Sequence, residues 1–318
     1  MKRRTFNLAG IAAAISPAVH AAAADGTLRI VVPSAPGTGV DILARFFAQQ
    51  LAKPLDTNIL VDNRAGAGGM LAADVVAKLP ADGGVCLLTS GALYSFPWLY
   101  SKLPYDGVND IVPVVNVGLS QLLLLVPTQS PYRTVQDLIA DAKRGAPMSF
   151  ASAGSGTASH LAGALFNQMA GINMTHIPYK VASQSVIDVA SGVVGVGFQG
   201  PAGVIPLLKA GRVRILAVTG LQRSSLVPDI PTIDESGVKG YELISPILMA
   251  VRAGSPSAFV RTLGEATLAA AATREFRDIC NANGLDVHLQ SQAQTQATTA
   301  AEFSKWKRIV ALGGARLD

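Results

Sequence analysis

Cysteine is nearly absent from this 318-residue chain: Cys86 and Cys280 are the only two. A disulfide-stapled scaffold is thereby excluded. Two cysteines in an exported chain could pair, but no spacing argues for it, so two buried free thiols are favoured over one disulfide. Histidine is also scarce (His20, His160, His176 and His288), and no His/Cys/Asp/Glu group has metal-ligand spacing, so no metal and no cofactor is expected. Aromatic residues make up 6% of the chain and charged residues 15%, with no Lys/Arg run interleaved with aromatics. Nucleic acid is therefore not an expected partner. Beyond the N-terminus no apolar run is long enough for a bilayer; residues 117–126 fall far short. Walker A and Gly-x-Ser-x-Gly sequences are missing as well: residues 66–69 lack the following Lys-Ser/Thr, and Gly154-Ser155-Gly156 lacks the elbow spacing.

The first thing present is an export signal. Lys2-Arg3-Arg4 precedes an apolar stretch over residues 8–19 and the small-residue tract Ala21-Ala22-Ala23-Ala24, which reads as a signal peptide over residues 1–24. Arg3-Arg4-x-Phe6 leaves the twin-arginine route open, although the general secretory (Sec) route is the favoured reading. Removing this segment takes three bases and no acid, leaving 23 bases against 21 acids, so the net charge falls from +5 to +2. The remaining chain of about 294 residues can build two lobes with real cores.

The mature chain is organised around Ile30-Val31-Val32-Pro33-Ser34-Ala35-Pro36-Gly37-Thr38-Gly39-Val40-Asp41, a strand, a turn and a helix start. The β-branched run suits a strand covered on both faces. Ile42, Leu43, Phe46, Phe47 and Leu51 then follow helical spacing. Strand, turn and helix alternate from there, pointing to a parallel sheet with crossover helices. Residues 112–126 form an extended stretch broken at Gly118, Ser120 and Gln121. Thr134, with Asp137 three positions on, marks a capped helix. A second strand–helix series fills residues 148–219, an extended return follows over 241–251, and helices are expected over 257–273, 274–283 and 294–312. Two series linked by two extended stretches predict a two-lobed α/β fold with a hinged cleft. Residues 25–125 and 246–318 form one domain and residues 126–245 the other.

Four turns share one chemistry. They comprise Ser34 to Gly39, Gly66 to Gly69, Ser90-Gly91, and Ser152 to Thr157; each follows a strand, and none holds Lys, Arg or His. Backbone N–H groups at helix starts, with hydroxyls beside them, can bind carboxylates without side-chain cations. An enzyme reading stands beside this one. Gly37-x-Gly39 and Gly154-x-Gly156 begin a dinucleotide fingerprint but meet Ile42 and Ser159 where Gly is wanted, while Asp62 sits where a ribose-binding acid belongs. An exported dinucleotide-binding enzyme, or a sensing or scaffold protein, are thus the alternatives. His160 is read as a cap or pocket-wall residue rather than a general base, and Arg45 and Arg64 as structural ion-pair residues.

The segments at residues 30–41 and Val61-Asp62-Asn63-Arg64-Ala65-Gly66-Ala67-Gly68-Gly69 are joined by Leu103-Pro104-Tyr105-Asp106 and Ala151-Ser152-Ala153-Gly154-Ser155-Gly156-Thr157 with His160. Ile177-Pro178-Tyr179-Lys180, Arg214-Ile215-Leu216-Ala217-Val218 and Pro228-Asp229-Ile230-Pro231-Thr232 follow in order. Together they resemble the tripartite tricarboxylate transporter substrate-binding proteins, the Bug (TctC-like) family, over essentially the whole mature chain. The resemblance implies a monomeric periplasmic binding protein of the type II class, not an enzyme, which delivers a small carboxylate to permease subunits. Carried over, the ligand contacts are Ser34, Ala35, Gly37, Thr38, Gly39, Asp41, Ala67, Gly68, Gly69 and Ser90. From the second lobe come Ser152, Gly154, Ser155, Gly156 and Thr157. Asp41, being negative, is expected to cap its helix or hold a water rather than touch a carboxylate. Departures from the family pattern include Val181 after Pro-Tyr-Lys, Pro246-Ile247-Leu248 in the return, Arg252, and Ala81-Asp82-Gly83-Gly84. Gln199 stands in the cleft where Asp is common, which argues against an amino-acid ligand.

Overall fold

Residues 26–314, 316 and 317 are described by a computed structural model; the signal read over residues 1–24 lies outside them. The first series runs β1 (Thr27–Val32), α1 (Gly39–Ala52), β2 (Asn58–Asn63), α2 (Met70–Lys78), β3 (Val85–Ser90), the short α3 (Phe96–Leu99) and β4 (Ile111–Gln121). The second comprises β5 (Leu123–Pro127), α4 (Val135–Lys143), β6 (Ser149–Ser152), α5 (Ala158–Ala170), β7 (Thr175–Pro178), α6 (Ala182–Ala190), β8 (Val196–Gln199), α7 (Pro201–Lys209) and β9 (Val213–Val218). The chain then returns through β10 (Ile244–Arg252), α8 (Ser257–Ala271), α9 (Arg274–Ala282), β11 (Asp286–Gln290) and α10 (Gln292–Gly313).

Two sheets result, in the orders β11-β4-β10-β3-β1-β2 and β7-β6-β8-β5-β9. Neither is purely parallel, as the alternating pattern had suggested. β1 pairs parallel with β2 and β3, but β10 and β4 are antiparallel partners. In the second sheet β6 is parallel to β7 and β8, while β5 runs antiparallel to β8 and β9. The reason is topological: β4, β5 and β10 carry the chain between sheets and enter against the direction of the crossover units. The crossing falls at Leu122, so Leu123 to Leu125, read from sequence as the end of the first part, pair in the second sheet. The break read at Ser120 and Gln121 lies just before that point, but residues 122–126 are apolar throughout and carry no further mark of the change.

The two crossings are laced together. Leu122 N–H donates to Thr219 Oγ1 (2.8 Å), Thr219 N–H to the Leu122 carbonyl (3.0 Å), and Leu243 N–H to the Thr219 carbonyl (2.8 Å). Thr219 is fully buried at this junction. β11 is an element that sequence reading missed. It is a half-exposed edge strand on β4 with an irregular register, so its apolar alternation is too brief to stand out.

Local sequence explains the rest. Ile30, Val31 and Val32 are wholly buried, as expected for a strand covered on both faces. α1 turns Leu43, Phe46, Phe47 and Leu51 inward, where both phenylalanines meet Phe276 of α9. Thr134 and Asp137 form the expected capping box at α4. Cys86 and Cys280 are buried free thiols. α10 packs Phe303 on Tyr94 and sends Ile309 and Val310 into an apolar cluster shared with Leu161, Leu165 and Phe166 of α5. One core therefore extends across both lobes.

Candidate functional site

The turn after β1 is folded around Asp41. Its carboxylate, buried in the first turn of α1, accepts Gly37 N–H at 2.8 Å, Asn63 Nδ2 at 2.9 Å and Arg45 Nε at 2.9 Å. Burial pushes its pKa up, but the Arg45, Gly37 and Asn63 hydrogen bonds outweigh that and hold it below the usual carboxylate value. Asp41 thus braces the turn, and Arg45 is its structural partner. Asn63 was not anticipated; its amide also reaches the Ser34 carbonyl at 3.0 Å. Thr38 Oγ1 lies 2.7 Å from Ser34 Oγ and 2.9 Å from the Ala35 carbonyl. A methyl group built on Gly39 would contact Asn283 Oδ1 at 3.4 Å, so Asn283 walls this turn.

The turn after β2 explains its glycines. Gly66, Ala67, Gly68 and Gly69 have φ of 139°, 47°, 64° and 107°, a run that side chains resist. Tyr100 Oη secures it by donating to the Ala67 carbonyl at 2.9 Å. After β3, Ser90 Oγ accepts Ala92 N–H at 3.4 Å, and Gly91 N–H donates to Ser245 Oγ.

In the second lobe, most N–H groups of the turn after β6 are already engaged. Ala153 N–H donates to Ser159 Oγ (2.9 Å), Gly154 N–H to Ser152 Oγ (3.2 Å) and Gly156 N–H to His160 Nδ1 (3.1 Å). Thr157 Oγ1 bonds the Gly154 carbonyl at 2.6 Å. Ser152 Oγ lies 2.6 Å from His176 Nε2, and the His176 and His160 rings stack at 4.0 Å with 15° between their planes. Phe150 stacks on the other face of His176 at 5.0 Å. Burial, then His160, push the His176 pKa down to about 4, and burial pushes His160 down too. Gln199 Nε2 donates to the Ala151 carbonyl at 3.1 Å, a bond within its own sheet.

The sheets bring two of these turns face to face. A methyl on Gly68 would sit 3.9 Å from the Gly156 carbonyl carbon and 4.0 Å from the Ser155 carbonyl oxygen. Ser90 and Gln199 bond within their own lobes instead. Leu317 joins the junction from the C-terminal tail: its N–H donates to the Leu99 carbonyl at 2.7 Å, and its Cδ1 would lie 2.4 Å from a methyl on Gly156. Sequence gave no sign of that contact. Nearby, a cavity of ≈ 430 Å³ is bounded by His160 and His176, whereas one of ≈ 520 Å³ lies against Trp98, Tyr100, Lys307 and Arg316 and has no residue of the four turns in its lining. Asp62 is taken by Arg64 at 2.8 Å. Among the described residues, no three His, Cys, Asp or Glu side chains are placed to hold a metal, and no helix is long and apolar enough to cross a membrane.

The profile of the tripartite tricarboxylate transporter family receptor matches residues 43–314. Among solved structures, R. palustris Rpa4515 with adipate is 32% identical with a TM-score of 0.81, covering 92% of this chain and 98% of that one. The periplasmic binding protein BugD is 28% identical with a TM-score of 0.80, covering 91% and 98%. MatC from Rhodopseudomonas palustris, with bound malate, is 26% identical with a TM-score of 0.76, covering 89% and 98%. With its two sheets joined by two crossings, the chain has the two-lobed fold of these periplasmic binding proteins and belongs to the tripartite tricarboxylate transporter receptor family.

Proposed function

We propose that the mature chain is a monomeric periplasmic receptor that captures a small carboxylate between its lobes and delivers it to the permease subunits of a tripartite tricarboxylate transporter, without catalysing a reaction. Export through the Sec route by residues 1–24 belongs to this reading, as does the division into residues 25–125 with 246–318 and residues 126–245, with Leu123 to Leu125 moved to the second lobe by their pairing there. The observation that carries it is the approach of Gly68 to Ser155 and Gly156, which sets backbone from both lobes around one place. Ser155 and Gly68 N–H groups lie outside the hydrogen bonds that fold their turns, and α2 and α5 begin directly after these turns. Rpa4515 with adipate and MatC with malate are relatives holding dicarboxylates, which supports the same class here.

The direct contacts are assigned to Ser34, Ala35, Gly37, Thr38 and Gly39, to Ala67, Gly68 and Gly69, and to Gly154, Ser155, Gly156 and Thr157. Asp41, Ser90 and Ser152 bond their own turns and Gln199 its own sheet, and all four act as supports. The dinucleotide reading is weaker because Asp62, its ribose ligand, is paired with Arg64. Titration calorimetry with adipate, malate, aromatic acids and amino acids tests the proposal. One carboxylate should bind at a single site and, at 100 times its dissociation constant, add about 2.7 kcal/mol of apparent stability. Gly39→Val, whose side chain would crowd Asn283 and the turn, should abolish that binding. No ligand in the whole panel, or purified protein carrying stoichiometric NAD absorbance, would overturn the reading.

A further inference from the structure

The histidine pair does more than fill space. One ring holds each end of the lobe-two turn: His176 Nε2 meets Ser152 Oγ at its start, and His160 Nδ1 accepts Gly156 N–H at its end. The rings are stacked at 4.0 Å, so a charge on one is felt directly by the other. We propose that His160 and His176 are positioning residues that make this turn acid-labile, so that the receptor loosens its grip on its carboxylate as the pH falls. The proposal rests on the assignment of this turn to the ligand.

The chemistry is that of acceptor loss. His160 Nδ1 accepts a hydrogen bond only while it carries no proton. A proton delivered there turns it into a donor facing Gly156 N–H, and that bond breaks. Neutral His176 can accept from Ser152 Oγ or donate to it, according to its tautomer; the doubly protonated ring can only donate, which fixes the Ser152 hydrogen on the Gly154 carbonyl at 3.3 Å. Protonating both would stack two cations. Solvent protons have a route, because both rings border the ≈ 430 Å³ cavity. Facing the pair are Phe150 of β6, Asn167 and Gln168 of α5, Asn173 and Met174 before β7, and Leu312 at the end of α10. None of these ionises, so among the described residues each histidine's titratable neighbour is the other. The direction follows from both rings being held neutral: the closed turn is fully favoured above the ordinary value of 6.5 and loses support as the pH falls from there towards about 4.

Nitrogen-15 NMR on the ligand-free mature chain, from about pH 7.5 to about 4.5, tests this without any ligand. The Gly156 amide signal should move with the His160 ring titration, and its hydrogen exchange, corrected for the intrinsic pH dependence, should speed up at least tenfold. In His160→Asn, which keeps an acceptor but cannot titrate, the Gly156 signal should stay flat. A Gly156 amide that ignores pH, or responds equally in His160→Asn, would overturn the proposal. Adipate calorimetry over the same range supplies the second arm. Adipate's own protonation acts on both proteins alike, so the wild type should weaken by up to tenfold per pH unit more than His160→Asn. Equal pH slopes would overturn the link to release. Absence of adipate binding at every pH, with the Gly156 titration intact, would count against the carboxylate reading while establishing the acid-labile turn.

Discussion

A single buried carboxylate decides the shape of the first ligand turn. Asp41→Ala would remove the acceptor of Gly37 N–H and of one Asn63 Nδ2 hydrogen; Asn63 keeps the Ser34 carbonyl and Gly37 is exposed to water, so each loss is about 0.5–1.5 kcal/mol. Urea unfolding should show a lower midpoint at unchanged slope, and Asp41→Asn should recover part of the loss by keeping an acceptor. Asp41 also has a pH consequence. Because its folded pKa is depressed, the stability it contributes is present above the unfolded carboxylate range and is lost as the pH falls through the folded value. Asp41 was visible in the sequence as a residue near the turn, and Arg45 as an ion-pair residue. Their mutual bond, and the reach of Asn63 from β2, were not, because 22 residues separate Asn63 from Asp41 and no local pattern links them. His176 escaped for the same reason: its partner Ser152 lies 24 residues away on the neighbouring strand.

Elements were easier to read wherever their signals are local. Thr134 with Asp137 announced α4 because a capping box is complete within one turn of chain. Thr134→Ala should cost about 0.5–2 kcal/mol, measured as a drop in unfolding free energy. Gly163 is a subtler case, in the middle of α5. Helix propensity favours Ala there by roughly 1 kcal/mol. However, a methyl on Gly163 would lie only 2.1 Å from Cε2 of Phe150, in a core packed across α5 and β6. Overpacking of that kind typically costs 1–3 kcal/mol, and Phe150 is itself held against His176, so the clash outweighs the propensity gain. Gly163→Ala should therefore be destabilised by about 1–2 kcal/mol net in chemical unfolding; a more stable variant would mean that Phe150 repacks freely. β11 stayed hidden because an edge strand needs only a weak alternation, and the antiparallel halves of both sheets because direction is set by crossings that leave no composition signal.

At the scale of the molecule, the lobes meet where Gly284, after α9, faces Pro201 and Ala202 at the start of α7. A methyl on Gly284 would stand 2.5 Å from Pro201 Cβ, and its φ of 72° disfavours a side chain. Gly284→Val should wedge the lobes apart, raising the radius of gyration in solution scattering and weakening ligand binding by mass action on the closed form. Unchanged scattering would show that this contact yields without moving the lobes. Ser225 Oγ, 2.5 Å from Asp286 Oδ1, spans the same boundary between the two lobes.

The long C-terminal helix has a mechanical consequence. α10 continues from β11 of the first sheet, yet near its end Gly313 stands so close to Ala164 of α5 that an added methyl would be 3.0 Å from that side chain. The laced crossings at Leu122, Thr219 and Leu243 already define an axis. A third attachment away from that axis denies the lobes twist and sideways slip, leaving a jaw rather than a ball and socket. Its travel is then a single coordinate, so every intermediate shape lies on one line between open and shut. With each molecule either open and empty or shut and loaded, scattering curves collected at any ligand concentration should decompose into the same two end profiles in changing proportion.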